Sequence, residues 1–96
     1  MSDMVMIVAH VRRNRRAPVG QALREQGQRG WAEVDVVGHG HAAGGHGVDH
    51  VRFEVVIPAA SAEGCRQAIA RAASVGAEGG GIIITLPVLA MQRVDS

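Results

Sequence analysis

Aromatic side chains are nearly absent from this chain. Its 96 residues include one tryptophan, one phenylalanine and no tyrosine. Proteins that hold single-stranded nucleic acid stack the bases on exposed aromatic rings, so this shortage argues against nucleic-acid binding. With so few rings available, the hydrophobic core has to be built from valine, isoleucine, leucine, alanine and methionine.

Cysteine, lysine and net charge are also scarce. The single cysteine, Cys65, excludes an intramolecular disulfide and any zinc site made of several cysteines. All ten basic residues are arginine, and nine acidic residues leave a formal charge of +1, which gives no general polyanion-binding surface. The apolar run at residues 4–9 is too short for a signal peptide or a membrane span, so we expect a cytoplasmic protein without membrane insertion.

Two amphipathic helices are predicted between four strands at residues 4–11, 31–40, 50–58 and 82–86. The first helix has Pro18 in its first turn and ends before Gly27, and its buried stripe consists of Val19, Ala22, Leu23 and Gln26. The second helix spans residues 62–75 with Ser61 as N-cap, and its buried side consists of Cys65, Ala68, Ile69 and Ala72. We expect Cys65 to be a small buried hydrophobe and not a reactive thiol.

This order of elements, β-α-β-β-α-β, is the split βαβ arrangement of ferredoxin-like domains, and it fits one α+β domain over residues 1–96. In such a sandwich two helices cover one face of a four-stranded antiparallel sheet. The other face should carry Val37 and many apolar neighbours, and no helix remains to cover it. We therefore expect self-association into a closed assembly.

Five segments in order, at near-constant spacing, resemble the nitrogen-regulatory P-II signalling proteins and their P-II-like relatives. Residues 28–30 and 34–40 are similar to the second strand of that family, which ends in a G-F-G signature. Residues 51–57 are similar to its third strand, residues 70–81 to its glycine loop, and residues 85–88 to the end of its last strand.

The resemblance implies a homotrimer that acts as a sensor and not as an enzyme. The family binds adenine nucleotides in clefts between subunits, and the loop after its second strand, here residues 41–49, docks on a transporter, an enzyme or a regulator. Carried over residue by residue, the positions that would bind the nucleotide or a small anion are Gly38, Gly40, Glu54, Gly79, Gly80, Gly81 and Arg93.

Two departures from the family pattern remove positive charge. Ile82 replaces the lysine that follows the glycine loop, and Asp95 replaces the second arginine of the tail. Each lost contact to a phosphate is worth roughly 1.5–3 kcal/mol. We therefore expect weak or absent ATP binding, while AMP or ADP remains a candidate ligand. The loop at residues 41–49 is also short and has no tyrosine for uridylylation.

Four of the five histidines lie close together in the sequence, namely His39, His41, His46 and His50. Neutral imidazole is a good ligand for Zn(II), Cu(II), Ni(II) or Co(II), so one hypothesis is a metal-binding trimer similar in fold to the divalent-cation-tolerance proteins. The alternative is that these histidines are surface polar residues of a shortened loop, since their spacing matches no metal motif. A structural or adaptor trimer without a ligand is a third hypothesis.

A run of arginines, Arg12, Arg13, Arg15 and Arg16, follows the first strand. It has two interpretations, a site for phosphate groups or an acidic partner surface, and a solvated edge of the fold. Trp31, just after Gly30, is expected to pack at the end of the sheet or at a subunit contact. The sequence has no motif for a catalytic nucleophile or paired carboxylates, so no enzymatic activity is predicted.

Overall fold

The computed structural model describes residues 3–40, 47–76 and 79–95. Four strands, β1 (Met4–Arg12), β2 (Ala32–Gly38), β3 (Val48–Pro58) and β4 (Gly81–Pro87), form one antiparallel sheet. Their spatial order is β2-β3-β1-β4. Two helices, α1 (Arg16–Glu25) and α2 (Ala62–Ala73), connect β1 to β2 and β3 to β4. The predicted α+β, ferredoxin-like fold is confirmed, and no helix of the described residues is long and apolar enough to cross a membrane.

Some predicted boundaries were wrong. Strand β3 begins at Val48, two residues before the predicted start, because Val48 and Asp49 pair with the end of β2. Helix α2 ends at Ala73, since Ser74 adopts an extended conformation. Ser61 makes no side-chain capping hydrogen bond, because it closes a short 3-10 turn that leads into α2.

The hydrophobic core lies between the two helices and one face of the sheet. Phe53 is its largest fully buried side chain, and the alternate residues of β1 and β3 surround it. The helices and strands contribute the buried cluster of Ile7, Ala9, Val11, Val19, Leu23, Val51, Phe53, Val55, Ile57, Ala62, Cys65, Ile69 and Ala73. Gln26 was wrongly predicted to be buried. Gln26 is exposed and follows the last residue of α1, where its backbone N–H donates to the carbonyls of Ala22 and Leu23.

The other face of the sheet, which we call the open face, carries many apolar side chains beside the Arg52–Glu54 ion pair, and no helix of the described residues covers it. Directly opposed residues of an antiparallel pair point to the same side of a sheet. By that rule the register assigns the following partly exposed side chains to the open face: Val34, Val36, Val56, Ile82, Ile84 and Leu86. Val37 was wrongly predicted to belong here. It is opposite Asp49 and one residue out of phase with Val36, so it lies on the helix side.

Cys65 is fully buried on α2, as predicted. Desolvation by the surrounding core raises the pKa of its thiol above the ordinary value. Because the thiolate is the reactive species and burial disfavours it, the thiol should be protected in the folded protein.

We therefore predict that native protein at mildly alkaline pH reacts with a thiol reagent at least about tenfold more slowly than protein unfolded in guanidinium chloride. The measurement is the rate of colour release from an aromatic disulfide reagent. A Cys65→Ser variant provides the background rate. Equal rates for native and unfolded protein would contradict the burial of this side chain.

Candidate ligand-binding site

All four strands contribute to a cavity of about 230 Å³ at one end of the sheet. Because β1 and β2 both run antiparallel to β3, their last residues, Arg12 and Gly38, lie opposite His50 and Val48 at the start of β3. The antiparallel β4 starts at the same end of the sheet. We call this space the strand-end cavity. It is lined by His10, Arg12, Gly38, His39, Gly40, Val48, His50, Gly79, Gly81 and Ile82.

Four of the seven residues expected to bind a nucleotide or anion line this cavity, namely Gly38, Gly40, Gly79 and Gly81. The other three lie elsewhere in the chain. Glu54 is in the middle of β3, where its carboxylate is 3.0 Å from Nε of Arg52. Gly80 lies on the side of its loop that faces the carbonyl of Ala73, and Arg93 is in the exposed tail after β4.

Two glycines allow the walls of the cavity to come close together. Gly81 has φ +134°, and a Cβ at this position would lie 1.9 Å from the carbonyl oxygen of His10. A Cβ at Gly38 would lie 2.7 Å from Nδ1 of His50. A larger residue at either position would have to push β4 away from β1, or move the imidazole of His50 away from β2.

The imidazole of His50 is held in a defined state by a backbone contact. Its Nδ1 is 2.8 Å from the carbonyl oxygen of Val48. Because a carbonyl oxygen can only accept a hydrogen bond, Nδ1 carries the hydrogen. This hydrogen bond fixes the orientation of the ring, with Nε2 as the nitrogen that Val48 does not engage.

Arg12 connects the end of β1 to the glycine loop. Its Nε donates a hydrogen bond to the carbonyl oxygen of Gly79 at 2.7 Å. Three residues further on, Nε of Arg15 donates to the carbonyl oxygen of Ala72 at 2.9 Å. These two contacts tie the turn after β1 to both ends of the segment between α2 and β4.

Arg13 and Arg16 make contacts of a different kind. Nη1 of Arg13 is 3.3 Å from a carboxylate oxygen of Asp49, and Nη2 of Arg16 is 2.6 Å from one of Asp35. Nε of Arg16 is also 3.0 Å from Glu33. Such exposed pairs contribute little to stability, but they neutralise this part of the basic run. The interpretation as a solvated edge therefore fits Arg13 and Arg16, whereas Arg12 lines the cavity.

The sequence reasoning missed His10 as a residue of the site and considered Arg12 only as one member of a basic run that could bind phosphate groups. At the end of β1 these two polar residues alternate with the buried Ala9 and Val11, and this alternation was the available signal. What the sequence did not supply was the register, which places His10 opposite Ile82 of β4 and Arg12 opposite His50 of β3. Together with His39 and His50 they give a lining with one guanidinium, three imidazoles and no carboxylate among its described residues.

The proposed metal ligands are only partly described by the structure. His39 and His50 line the strand-end cavity, while His41 and His46 lie outside the described residues. Within residues 3–40, 47–76 and 79–95, no group of three or more His, Cys, Asp or Glu side chains is arranged to hold a metal ion. The metal hypothesis therefore depends on residues 41–46.

A second groove lies beside the end of α1 and is lined by Arg24, Gly27, Gln28, Arg29, Gly30 and Trp31. Trp31 packs against the core at the end of the sheet, as expected. Its Nε1 donates to Glu33 at 2.8 Å, and the guanidinium of Arg24 lies 5.3 Å from its ring centroid. These contacts satisfy the indole within the chain.

The family model described as nitrogen regulatory protein P-II matches residues 4–96. The chain therefore belongs to the P-II family, whose members are regulatory signalling proteins. Among solved structures, the crystal structure of Arabidopsis thaliana PII bound to citrate is similar, with a TM-score of 0.80 and 32% sequence identity. The similarity covers 91% of this chain and 78% of that chain. No curated protein matches the chain.

The close contact between Gly81 and β1 leads to a prediction about stability. Gly81→Ala places a methyl group against the carbonyl of His10 in a backbone conformation that strains any L side chain, which costs about 1–3 kcal/mol. We expect a fall of several degrees in the melting temperature. Gly30→Ala is the matched control, because a Cβ there meets nothing within 4 Å. Equal melting temperatures for the two variants would contradict the close approach of β4 to β1.

Proposed function

We propose that this protein is a P-II-like regulatory trimer that binds an adenine nucleotide or another small anion in the strand-end cavity and thereby changes its contact with a protein partner. The observation that carries the proposal is the convergence of four glycines and the guanidinium of Arg12 on one cavity, in a chain of the P-II family. Glycine backbone N–H groups and a guanidinium are suitable donors to an anion. The citrate bound to Arabidopsis PII is also an anion.

The size of the cavity supports a site that is shared between subunits. Its volume of about 230 Å³ is below the roughly 300–1,000 Å³ of pockets that enclose a drug-sized ligand. A single chain would therefore leave much of a nucleotide in contact with solvent. A neighbouring copy that packs over the cavity would complete the enclosure.

The open face supplies a physical reason for the copies to associate. Ile82, Ile84 and Leu86 on β4 are each 40–56% exposed, and they extend the apolar surface of Val34 and Val56. Burial of such surface is favourable by about 25 cal/mol per Å². Three copies arranged with their sheets inward would remove this surface from water.

The proposed partner-binding segment is next to the proposed ligand. Residues 41–49 follow β2, and both Gly40 before them and Val48 near their end line the strand-end cavity. A bound ligand would therefore contact both ends of the segment and could set its position. We propose that the protein is cytoplasmic and that the partner of this segment is a transporter, an enzyme or a regulator, in keeping with the family.

The assembly can be tested by placing a charge on the open face. Ile84→Glu should convert the trimer into monomers, because a carboxylate cannot be desolvated at an apolar contact without a partner. Val37→Glu is the matched control, since Val37 is 60% exposed on the helix side. The measurement is molar mass by light scattering. A wild-type monomer, or a trimer of Ile84→Glu, would contradict the proposed assembly.

The ligand can be tested by thermal unfolding in the presence of AMP, ADP, ATP, phosphate and citrate, with adenosine as the uncharged control. A ligand at about a hundred times its dissociation constant stabilises the protein by about 2.7 kcal/mol. We expect AMP or ADP to raise the melting temperature at lower concentrations than ATP, because Ile82 and Asp95 offer no cation to a longer phosphate chain. Stabilisation by Zn(II), Cu(II), Ni(II) or Co(II) alone would favour the metal hypothesis and contradict this one.

A further inference from the structure

We infer that Arg12 supplies the main cationic contact to the ligand, and that its position at the end of β1 makes the site selective for a short oxyanion. The ligand group would be a phosphate or a carboxylate, which a guanidinium binds through the same pair of parallel N–H donors. This inference rests on the proposed function, because it names the anion-binding residue of the strand-end cavity.

The register of the sheet places Arg12 on the side that faces the cavity. His10 lies directly opposite Ile82 on the neighbouring strand β4, so the two side chains lie on the same side of the sheet. Arg12 is two residues beyond His10 and therefore shares this side. The apolar side chain at position 82 and the guanidinium at position 12 both line the cavity. Position 82 on β4 therefore supplies no positive charge to the cavity, whereas Arg12 on the adjacent strand β1 does.

The guanidinium of Arg12 donates only one hydrogen bond to the described residues. A guanidinium has five N–H donors, and Arg12 uses the one on Nε for the carbonyl oxygen of Gly79. Its two terminal nitrogens have no hydrogen-bond partner among the described residues. The bond to Gly79 fixes the plane of the group, so less side-chain freedom would be lost when an anion binds.

No carboxylate of the described residues competes with a ligand for the guanidinium of Arg12. Four other arginines have a carboxylate oxygen within 4.0 Å, namely Arg13, Arg16, Arg52 and Arg66. Within the described residues Arg12 has none, and no Asp or Glu lines the cavity. The charge of Arg12 is therefore not neutralised within this part of the chain, and it remains available to an external anion.

Selectivity follows from the position of this single guanidinium. An oxyanion held by Arg12 lies against the loop that Arg12 anchors, at the start of β4. The next side chain along that strand is Ile82, which can offer no hydrogen bond. One phosphate or one carboxylate can therefore be bound by the guanidinium of Arg12. Additional phosphates would gain no further guanidinium or ammonium contact from these residues.

The test compares binding of AMP and adenosine by calorimetry in the wild type, Arg12→Gln and Arg29→Gln. Both variants remove one positive charge, but Arg29 is exposed and lies outside the cavity. We expect Arg12→Gln to weaken AMP binding by at least about tenfold and to leave adenosine binding unchanged. Arg29→Gln should bind both ligands as the wild type does. Circular dichroism and the melting temperature establish that each variant is folded.

One further variant, together with the comparison between AMP and adenosine, separates an anion-binding role from a purely structural one. Arg12→Lys keeps the charge and loses the planar fork, so it should bind AMP more tightly than Arg12→Gln if the charge contacts the ligand. Equal losses of AMP and adenosine binding in Arg12→Gln would show that Arg12 only holds the loop, and would overturn the inference, as would unchanged AMP binding.

Competition with AMP identifies the type of anion. Inorganic phosphate and citrate are titrated as competitors, and the one whose competition is lost in Arg12→Gln is the group that Arg12 binds. If neither competitor depends on Arg12, the inference is overturned while AMP binding by the wild type would still support the proposed function. If the wild type binds none of these compounds, the proposed function itself fails, and this inference fails with it.

Discussion

The pairing of β1 with two neighbours at once is the constraint on which the site depends. β1 hydrogen-bonds with β3 along its whole length and with β4 from Val5 to Val11. Its alternate side chains fill the core, and this burial holds the strand in one register. The register in turn determines that the side chains of His10 and Arg12 lie on the open face, where they line the strand-end cavity. A slip by one residue would exchange these polar side chains with the core.

The contacts of the glycine loop depend on the same strand. Arg12 donates to Gly79, and Gly81 approaches the carbonyl of His10 more closely than any side chain would allow. The end of β1 therefore forms both a wall of the cavity and the support of the loop that closes it. Since Gly40, which precedes residues 41–49, and Val48, near their end, line the same cavity, one small volume connects the proposed ligand with the proposed partner contact.

Much of the fold could be predicted because its signals are local. Apolar runs predicted β1, β3 and β4, and alternation predicted β2. The spacing of Val19, Leu23, Cys65 and Ile69 predicted the buried sides of the helices. The face of Val37 could not be predicted in this way, since it depends on which residue of β3 lies opposite. The glycines of the cavity were predicted through a resemblance of motifs. Their position beside Arg12 could not be predicted, because it depends on the pairing of strands that are far apart in the sequence.

Nuclear magnetic resonance can test directly whether ligand binds at the strand-end cavity. Backbone amide signals of isotope-labelled protein are followed while AMP is added. We expect the largest chemical-shift changes at Gly38, Gly40, Gly79 and Gly81, with little change along the second groove. Shifts centred on the second groove, at Arg24 to Trp31, would contradict binding at the strand-end cavity.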